Sequence, residues 1–436
     1  MWTLCFYCGL SILSMGCMLG AHSAGAYAGL LGWHAAAIGF LLMGLSTPAR
    51  AETEALARKA MPFLLTATLG AFEAYQIAPF TSSPIVLWHL VVVLAFVYLA
   101  HRGLTLRHCQ VYIFPLLVAG FLFAGVSTIR AHPDPRIDVL NLQQAAAGAL
   151  VHLENPFTAT IENIYPLGSP FLVDALIKDG RTTYGLVYPP LVAIAGLPGY
   201  VVAGDVRYSH LFAIAISACL IAFGRPTWMS LIAGILMMVN PVSLKVIEFA
   251  WTEPVTILFF SFSLFAWFRF PKAVPYLFGL FVSSKQHLAI ALVFVPLLVG
   301  WDWKRIFSFT LKALAVCFVV NVPFYLWNPH AFILSTTALV SGAPIRTDLL
   351  GFSGYFYAKG FPPFPMWLPF LLLPLGAWIG LRKAPHTPAG FAAATTILFL
   401  LFFALAKQAA PNYYAMTMGM LCCTLAFAMP ADSDHS

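Results

Sequence analysis

Charge is scarce in this chain: 9% of its 436 residues are charged and 61% are hydrophobic, where an ordinary soluble domain carries roughly 25% charged residues. No water-soluble surface can be built from so few ionic groups. Alternating apolar segments of ~10 residues, the mark of a membrane β-barrel, are missing too. No Gly-x-x-x-x-Gly-Lys-Ser/Thr loop occurs, which argues against a bound nucleotide. No carboxylate-rich set stands at clear metal-ligand spacing, so neither a metal nor any other cofactor is assigned. The eight cysteines lie almost wholly in apolar runs and read as small buried hydrophobes. Cys5-x-x-Cys8 has redox spacing, but it falls in a spanning run without a βαβ context and implies no disulfide or zinc site. No basic residue precedes the apolar run from Trp2 to Leu19, and the first Arg is Arg50, so that run is expected to be a retained helix rather than a secretory signal.

What the chain does have is apolar runs of spanning length. Pro84 to Ala100, Cys109 to Ile129, Ile306 to Leu326 and Asn412 to Met429 each match the ~20 residues that cross a bilayer. Lipid cannot satisfy open backbone N–H and C=O groups, so the runs must be helices. The expected fold is an all-α polytopic membrane protein with ~12 transmembrane helices and a long extracytoplasmic loop. It forms one membrane domain over 1–436, divided into N-terminal helices (1–129), the loop (130–185) and C-terminal helices (186–436). The net charge of +7 sits mostly in short loops, where it orients the protein, and points away from a nucleic-acid partner.

Arg50, Arg58 and Lys59 follow the second run, and Arg102 and Arg107, with His101 and His108, follow the fourth. Both loops are expected in the cytoplasm. The uncharged Thr81-Ser82-Ser83 turn between them fits the far side, which places the amino terminus in the cytoplasm and segment 130–185 outside it. Short runs from Tyr208 to Phe223, Thr227 to Val239 and Val274 to Ser284 blur the later parity. Placing Arg269, Lys272, Lys304, Arg305, Arg382 and Lys383 all inside requires some of them to pair or re-enter.

Segment 130–185 is the longest polar stretch and concentrates the acids Asp134, Asp138, Glu154, Glu162, Asp174 and Asp179. A loop of this length is more often functional than connective. Within it Val139, Leu142, Ala146, Leu150 and Leu153 fall at helical spacing on one face. That pattern fits a helix lying in the membrane interface, and equally a surface helix packed on the protein. Asp138 opens it.

Ionisable groups at the edges of apolar runs carry a solvation penalty and are functional candidates. Glu248 and Glu253 flank Phe249-Ala250-Trp251-Thr252, Lys285 stands in Ser283-Ser284-Lys285-Gln286-His287, and Lys407 precedes Asn412-Tyr413-Tyr414. Snorkelling explains most lysines near helix ends. Lys285, however, is followed directly by the apolar stretch Leu288 to Gly300, so it stands at a hairpin between two apolar segments, where it suits an anionic phosphate. Glu73 and His89 read as structural residues.

Taken in order, Arg136-Ile137-Asp138 after a spanning helix, Tyr188-Pro189-Pro190-Leu191 before the next, Asn240-Pro241, Lys285-Gln286 between short helices and Asn412-Tyr413-Tyr414 before the last helix form a recurring set. This set resembles the GT-C membrane glycosyltransferases, in particular the bacterial polyprenyl-phosphate-mannose-dependent mannosyltransferases, over roughly residues 110 to 430. It departs where that family usually has a Gly-Gln pair after Asn-Pro, because this chain has Phe249-Ala250-Trp251-Thr252-Glu253.

The resemblance implies transfer of a sugar, mannose above all, from a polyprenyl-phosphate donor to a lipid or glycan acceptor outside a bacterial inner membrane, with inversion. Asp138 would be the base. Asp134, held in an extended turn by Pro133 and Pro135, is its rival, and Asp138 is preferred because it opens the helix. Lys285 would bind the donor phosphate, flanked by Gln286 and His287 and helped by Arg130 or Arg346. Glu253, Tyr188, Lys407 and Tyr413 complete the expected substrate contacts. From another class, a transporter or lipid flippase would line a pathway with Glu248, Glu253 and Lys285, but such proteins usually show related halves, and these halves do not look alike. A purely structural subunit leaves the acid-rich loop unexplained.

Overall fold

A computed structural model of the chain describes residues 106–428, apart from 167, 170–173, 226, 343–344, 346–350 and 408, together with 37–39, 41 and 44. The expected Trp2 to Leu19 and Pro84 to Ala100 helices, the Cys5-x-x-Cys8 pair, Glu73, His89 and, apart from Arg107 and His108, the loops used to place the amino terminus lie outside the described residues.

The first long helix, α1 (Leu106–Ala131), contains a π turn over Cys109–Ile113 and delivers the chain to the loop. Within the loop, α2 (Asp138–Val151) begins at the expected aspartate. After it, β1 (Ile177–Lys178) and β2 (Arg181–Thr182) pair antiparallel across Asp179-Gly180. Both turn residues have positive φ, 52° and 74°, the backbone a two-residue type I′ hairpin demands and an Asp-Gly pair supplies. This small strand pair is the one departure from helix in the expected architecture among the described residues.

Proline sets many of the later starts, because its missing N–H is no loss in a first helical turn. Thus α3 (Pro190–Ala203) opens on proline and leads through α4 (Arg207–Gly224) and α5 (Trp228–Val239) to α6 (Pro241–Glu248). Asn240 ends α5 and caps α6, its Oδ1 accepting the Val242 N–H at 2.9 Å, and the two helices meet at a 47° bend. This bent pair, a broken span or a re-entrant loop, contains one of the runs that looked too short. Next come α7 (Glu253–Arg269), α8 (Val274–Ser283), a 3-10 stretch over Gln286–Phe294, α9 (Val295–Val299) and α10 (Trp303–Trp327). The chain ends its described part with α11 (Pro329–Gly342), α12 (Phe352–Ala358), α13 (Leu368–Lys383), α14 (Pro388–Leu405) and α15 (Pro411–Phe427).

Helices α4, α5, α7 and α15 pack together as the core, and α14 covers one side of α15. Of the most apolar part of α14, 83% of residues are buried, against 11% for α10. Helix α10 instead turns Phe307, Leu311, Phe318 and Val319 outward, a surface that only hydrocarbon solvates well. Among the described residues four helices (α1, α4, α10 and α14) are long and apolar enough to cross a bilayer, or five if the bent pair α5–α6 is one span. The chain is an all-α polytopic integral membrane protein.

Segment 274–299 is the hairpin expected around Lys285. Phe278 packs on Phe391 near the start of α14, centroids 5.5 Å apart, and His287 reaches Phe403 near its end at 5.7 Å. By Phe294 the chain has come back, since a Cβ on Gly380 would overlap both Phe294 and Ala394. Gly380 is small because three segments converge on it.

Candidate functional site

The loop helix α2 is seated on the protein on two sides, which favours the packed reading over an interfacial one. Leu140 and Ala147 pack with Val206 and Ala250, Leu142 with Ile161 and Tyr184, and Ala146 with Phe157 and Leu186. Leu142 and Ala146 belong to the expected apolar face, but Leu153 does not: it lies past the helix end, at φ 57° and 84% exposed. The buried stripe is turned toward Leu140, Gln143 and Ala147 because the protein, rather than lipid, is its partner.

Two buried polar side chains lock the two ends of the region together. The Gln143 amide donates to the Ala250 carbonyl at 2.6 Å, clasping the turn that precedes Glu253. Arg207, 1% exposed, pairs with Asp205 at 2.6 Å and donates to the His132 carbonyl at 2.7 Å and the Glu248 carbonyl at 3.3 Å. Its guanidinium therefore ties the start of the loop to the end of α6. The hydrogen bonds offset what would otherwise be a large desolvation penalty.

Asp138 sits in the first turn of α2 and is half-buried, where the helix dipole favours a carboxylate. Its Oδ1 accepts the Val139 N–H at 2.9 Å and the Tyr165 hydroxyl at 3.0 Å. Asp134 is exposed, and its Oδ1 accepts the Arg136 N–H at 3.1 Å, closing the turn before the helix. Arg130, in the last turn of α1, is also exposed.

Lys285, at the hairpin tip, forms an ion pair with Glu253 at the start of α7, and both side chains are almost wholly buried, at 3% and 0% exposure. The Asn412 amide donates to the same Glu253 oxygen, Oε1, at 2.8 Å. Glu253 Oε2 is buried without a hydrogen-bond partner among the described residues, and Glu253 also lines a small cavity with Asn240, Ser243 and Gly419 at the helix break. The Lys285 ammonium lies over the rings of Tyr413 at 4.9 Å and Tyr188 at 5.8 Å, an arrangement that stabilises a poorly solvated cation.

Tyr188 lies beside the Lys285 ammonium. Burial pushes its phenol well above the ordinary range, and the Glu253 and Asp138 carboxylates both add to the shift. Tyr184, a buried phenol, is likewise raised by burial first and then by Asp138 and Tyr165, and its hydroxyl has no hydrogen-bond partner among the described residues. Thus the Glu253 and Asp138 carboxylates both raise the Tyr188 phenol, although they come from separate parts of the chain.

The remaining expected residues divide. His287 packs its ring on Phe399, Phe403 and Tyr413, next to the ion pair. Gln286 is exposed and donates to the Val187 carbonyl at 3.2 Å, fastening the hairpin tip to the strand of chain that carries Tyr188. Lys407 is half-buried in the turn between α14 and α15, with no ion-pair partner among the described residues. Arg346 lies outside the described residues. Sequence reasoning did not single out Tyr165, Asn412, Gln143 or Arg207 as members of this region. Asn412 stood in a quoted motif, while Tyr165 had no signal beyond its place before a proline in an acid-rich loop.

No family model matches the chain, and no curated protein matches it. Among solved structures it is similar to the crystal structure of ArnT from Cupriavidus metallidurans bound to undecaprenyl phosphate, with a TM-score of 0.44 and 15% identity over 73% of this chain. The match spans 60% of the length of that structure's chain.

Proposed function

We propose that the chain is an inverting GT-C-type glycosyltransferase that moves a sugar, mannose by the resemblance of its motifs, from a polyprenyl-phosphate donor to a lipid or glycan acceptor outside the cytoplasm. The observation that supports this reading is a half-buried carboxylate, Asp138, at the opening of the loop helix, together with a buried cation, Lys285, at the hairpin tip. A phosphate linkage to an anomeric carbon is already a good leaving group and needs no protonation. The reaction then asks for one base and one anion-stabilising group. Asp138 takes the proton from the acceptor hydroxyl as its oxygen bonds to the anomeric carbon. The bond from that carbon to the phosphate oxygen breaks, and its electron pair leaves with the polyprenyl phosphate. Attack from the face opposite the leaving group inverts the centre.

Lys285 supplies the positive charge for the donor phosphate, with Glu253, itself held by the Asn412 amide, keeping the ammonium in place. Asp138→Asn removes the base at almost constant shape. Transfer from polyprenyl-phosphate-mannose, measured in membranes with a radiolabelled donor, is expected to fall at least a thousandfold, against the ~10²–10⁴-fold that general base catalysis contributes, with membrane insertion unchanged. Retained transfer removes Asp138 as base. Uptake of a solute into sealed vesicles without covalent product would instead establish the transporter alternative.

A further inference from the structure

Tyr165 is 27 residues from Asp138 in sequence, yet its hydroxyl donates to Asp138 Oδ1 at 3.0 Å. Its placement is built from several directions. The Asn163 side chain grips the Tyr165 backbone on both sides, accepting its N–H at 3.1 Å and donating to its carbonyl at 2.7 Å. Asn163 is in turn held by the β-hairpin, its N–H bonding the Gly180 carbonyl at 2.9 Å. The Tyr165 ring packs against Leu142, Ile161 and Tyr184, and Leu142 lies one turn after Asp138 on the same helix. Loop, hairpin and helix therefore converge on one phenol–carboxylate bond.

We propose that Tyr165 is a positioning residue for Asp138: it fixes one carboxylate oxygen and favours the charged form of the group. The role as helper to a base rests on the glycosyltransferase reading above; the bond and its effect on ionisation do not. A hydroxyl that donates to a carboxylate stabilises the charged form, so its removal moves protonation to higher pH. Among the described residues, the phenols of Tyr184 and Tyr188 are coupled to Asp138, Asp134 and Arg136 lie in the preceding turn, and the Glu253–Lys285 pair lies beyond Tyr188. None of these is altered when Tyr165 loses only its hydroxyl.

The test uses the full-length protein in lipid nanodiscs, with pH-difference infrared spectra of its carboxyl groups. The band absent in Asp138→Asn identifies Asp138. In Tyr165→Phe, which keeps the packed ring, the midpoint of that band is expected to rise by about one pH unit, the size of one hydrogen bond to a charged group. Asn163→Ala keeps the phenol but frees it, and is expected to shift the midpoint less, in the same direction. With polyprenyl-phosphate-mannose as probe, the acidic limb of the rate profile moves by the same amount in Tyr165→Phe, and kcat falls while the donor KM stays. An unmoved midpoint in Tyr165→Phe overturns the proposal whether or not transfer is seen. A moved midpoint with no transfer by the unmodified protein overturns the glycosyltransferase reading alone.

Discussion

Glu253 and Lys285 are buried so completely that neither charge can be removed by itself without leaving the other stranded. Lys285→Met alone is expected to lower stability by about 3–5 kcal/mol, the usual penalty for breaking a buried pair. Lys285→Met with Glu253→Gln removes both charges, keeps the Asn412 contact available, and is expected to recover most of that loss. Thermal unfolding of the two variants in nanodiscs separates them. Transfer separates structure from function: the double variant should be stable and inactive, because it has no cation for the donor phosphate. Recovery of both stability and transfer would take Lys285 out of the site and leave the pair a packing device.

At the scale of elements, the turn between α6 and α7 decides where Glu253 points. Ala250 lies there at φ 52°, a left-handed conformation that sets its Cβ against the backbone and carries a penalty of roughly 1–2 kcal/mol. It is held by the Gln143 amide bond to its carbonyl and by Leu140 and Ala147 packed beside it. The stretch departs from the Gly-Gln pair of the resembling family, yet the backbone takes the form glycine would favour. Ala250→Gly is therefore expected to raise the unfolding midpoint, by an amount equivalent to up to about 1 kcal/mol after the extra chain entropy of glycine, and to leave transfer intact. A lower midpoint would show that the alanine methyl packs more than the backbone strains.

For the whole molecule, helix α10 is long and apolar enough to join the two faces of a bilayer. Phe324, near its end, packs on Phe157 of the loop at 6.2 Å, while Lys304 and Arg305 stand at its start. Twenty residues of helix separate the two by about 30 Å, the thickness of the hydrocarbon core. Lys178 on the loop hairpin and Lys304 are both exposed and should lie on opposite sides of the membrane. In intact cells a membrane-impermeant maleimide is expected to label Lys178→Cys and not Lys304→Cys, with the order reversed in inside-out vesicles. Labelling of both from one side contradicts the orientation read from the Lys and Arg pattern.

The limits of α1, α4, α10 and α15, the opening of α2 at Asp138 and the hairpin at Lys285 were legible in the amino-acid sequence. Each follows from a local condition: the bilayer acts on every segment of ~20 residues separately, and a charge between two apolar runs has only the membrane surface to occupy. The Asp179-Gly180 hairpin was not read from the sequence, although its turn chemistry carries the signal. The partners of the polar groups were not legible. Tyr165 meets Asp138 over 27 positions, Lys285 meets Glu253 over 32, and Asn412 meets Glu253 over 159. Composition determined that this protein must live in lipid, since so few charges cannot clothe it in water. Which of those few charges face one another was decided only by the tertiary structure, because a buried polar group is satisfied by whatever packing brings within hydrogen-bond reach, and sequence distance does not enter that geometry.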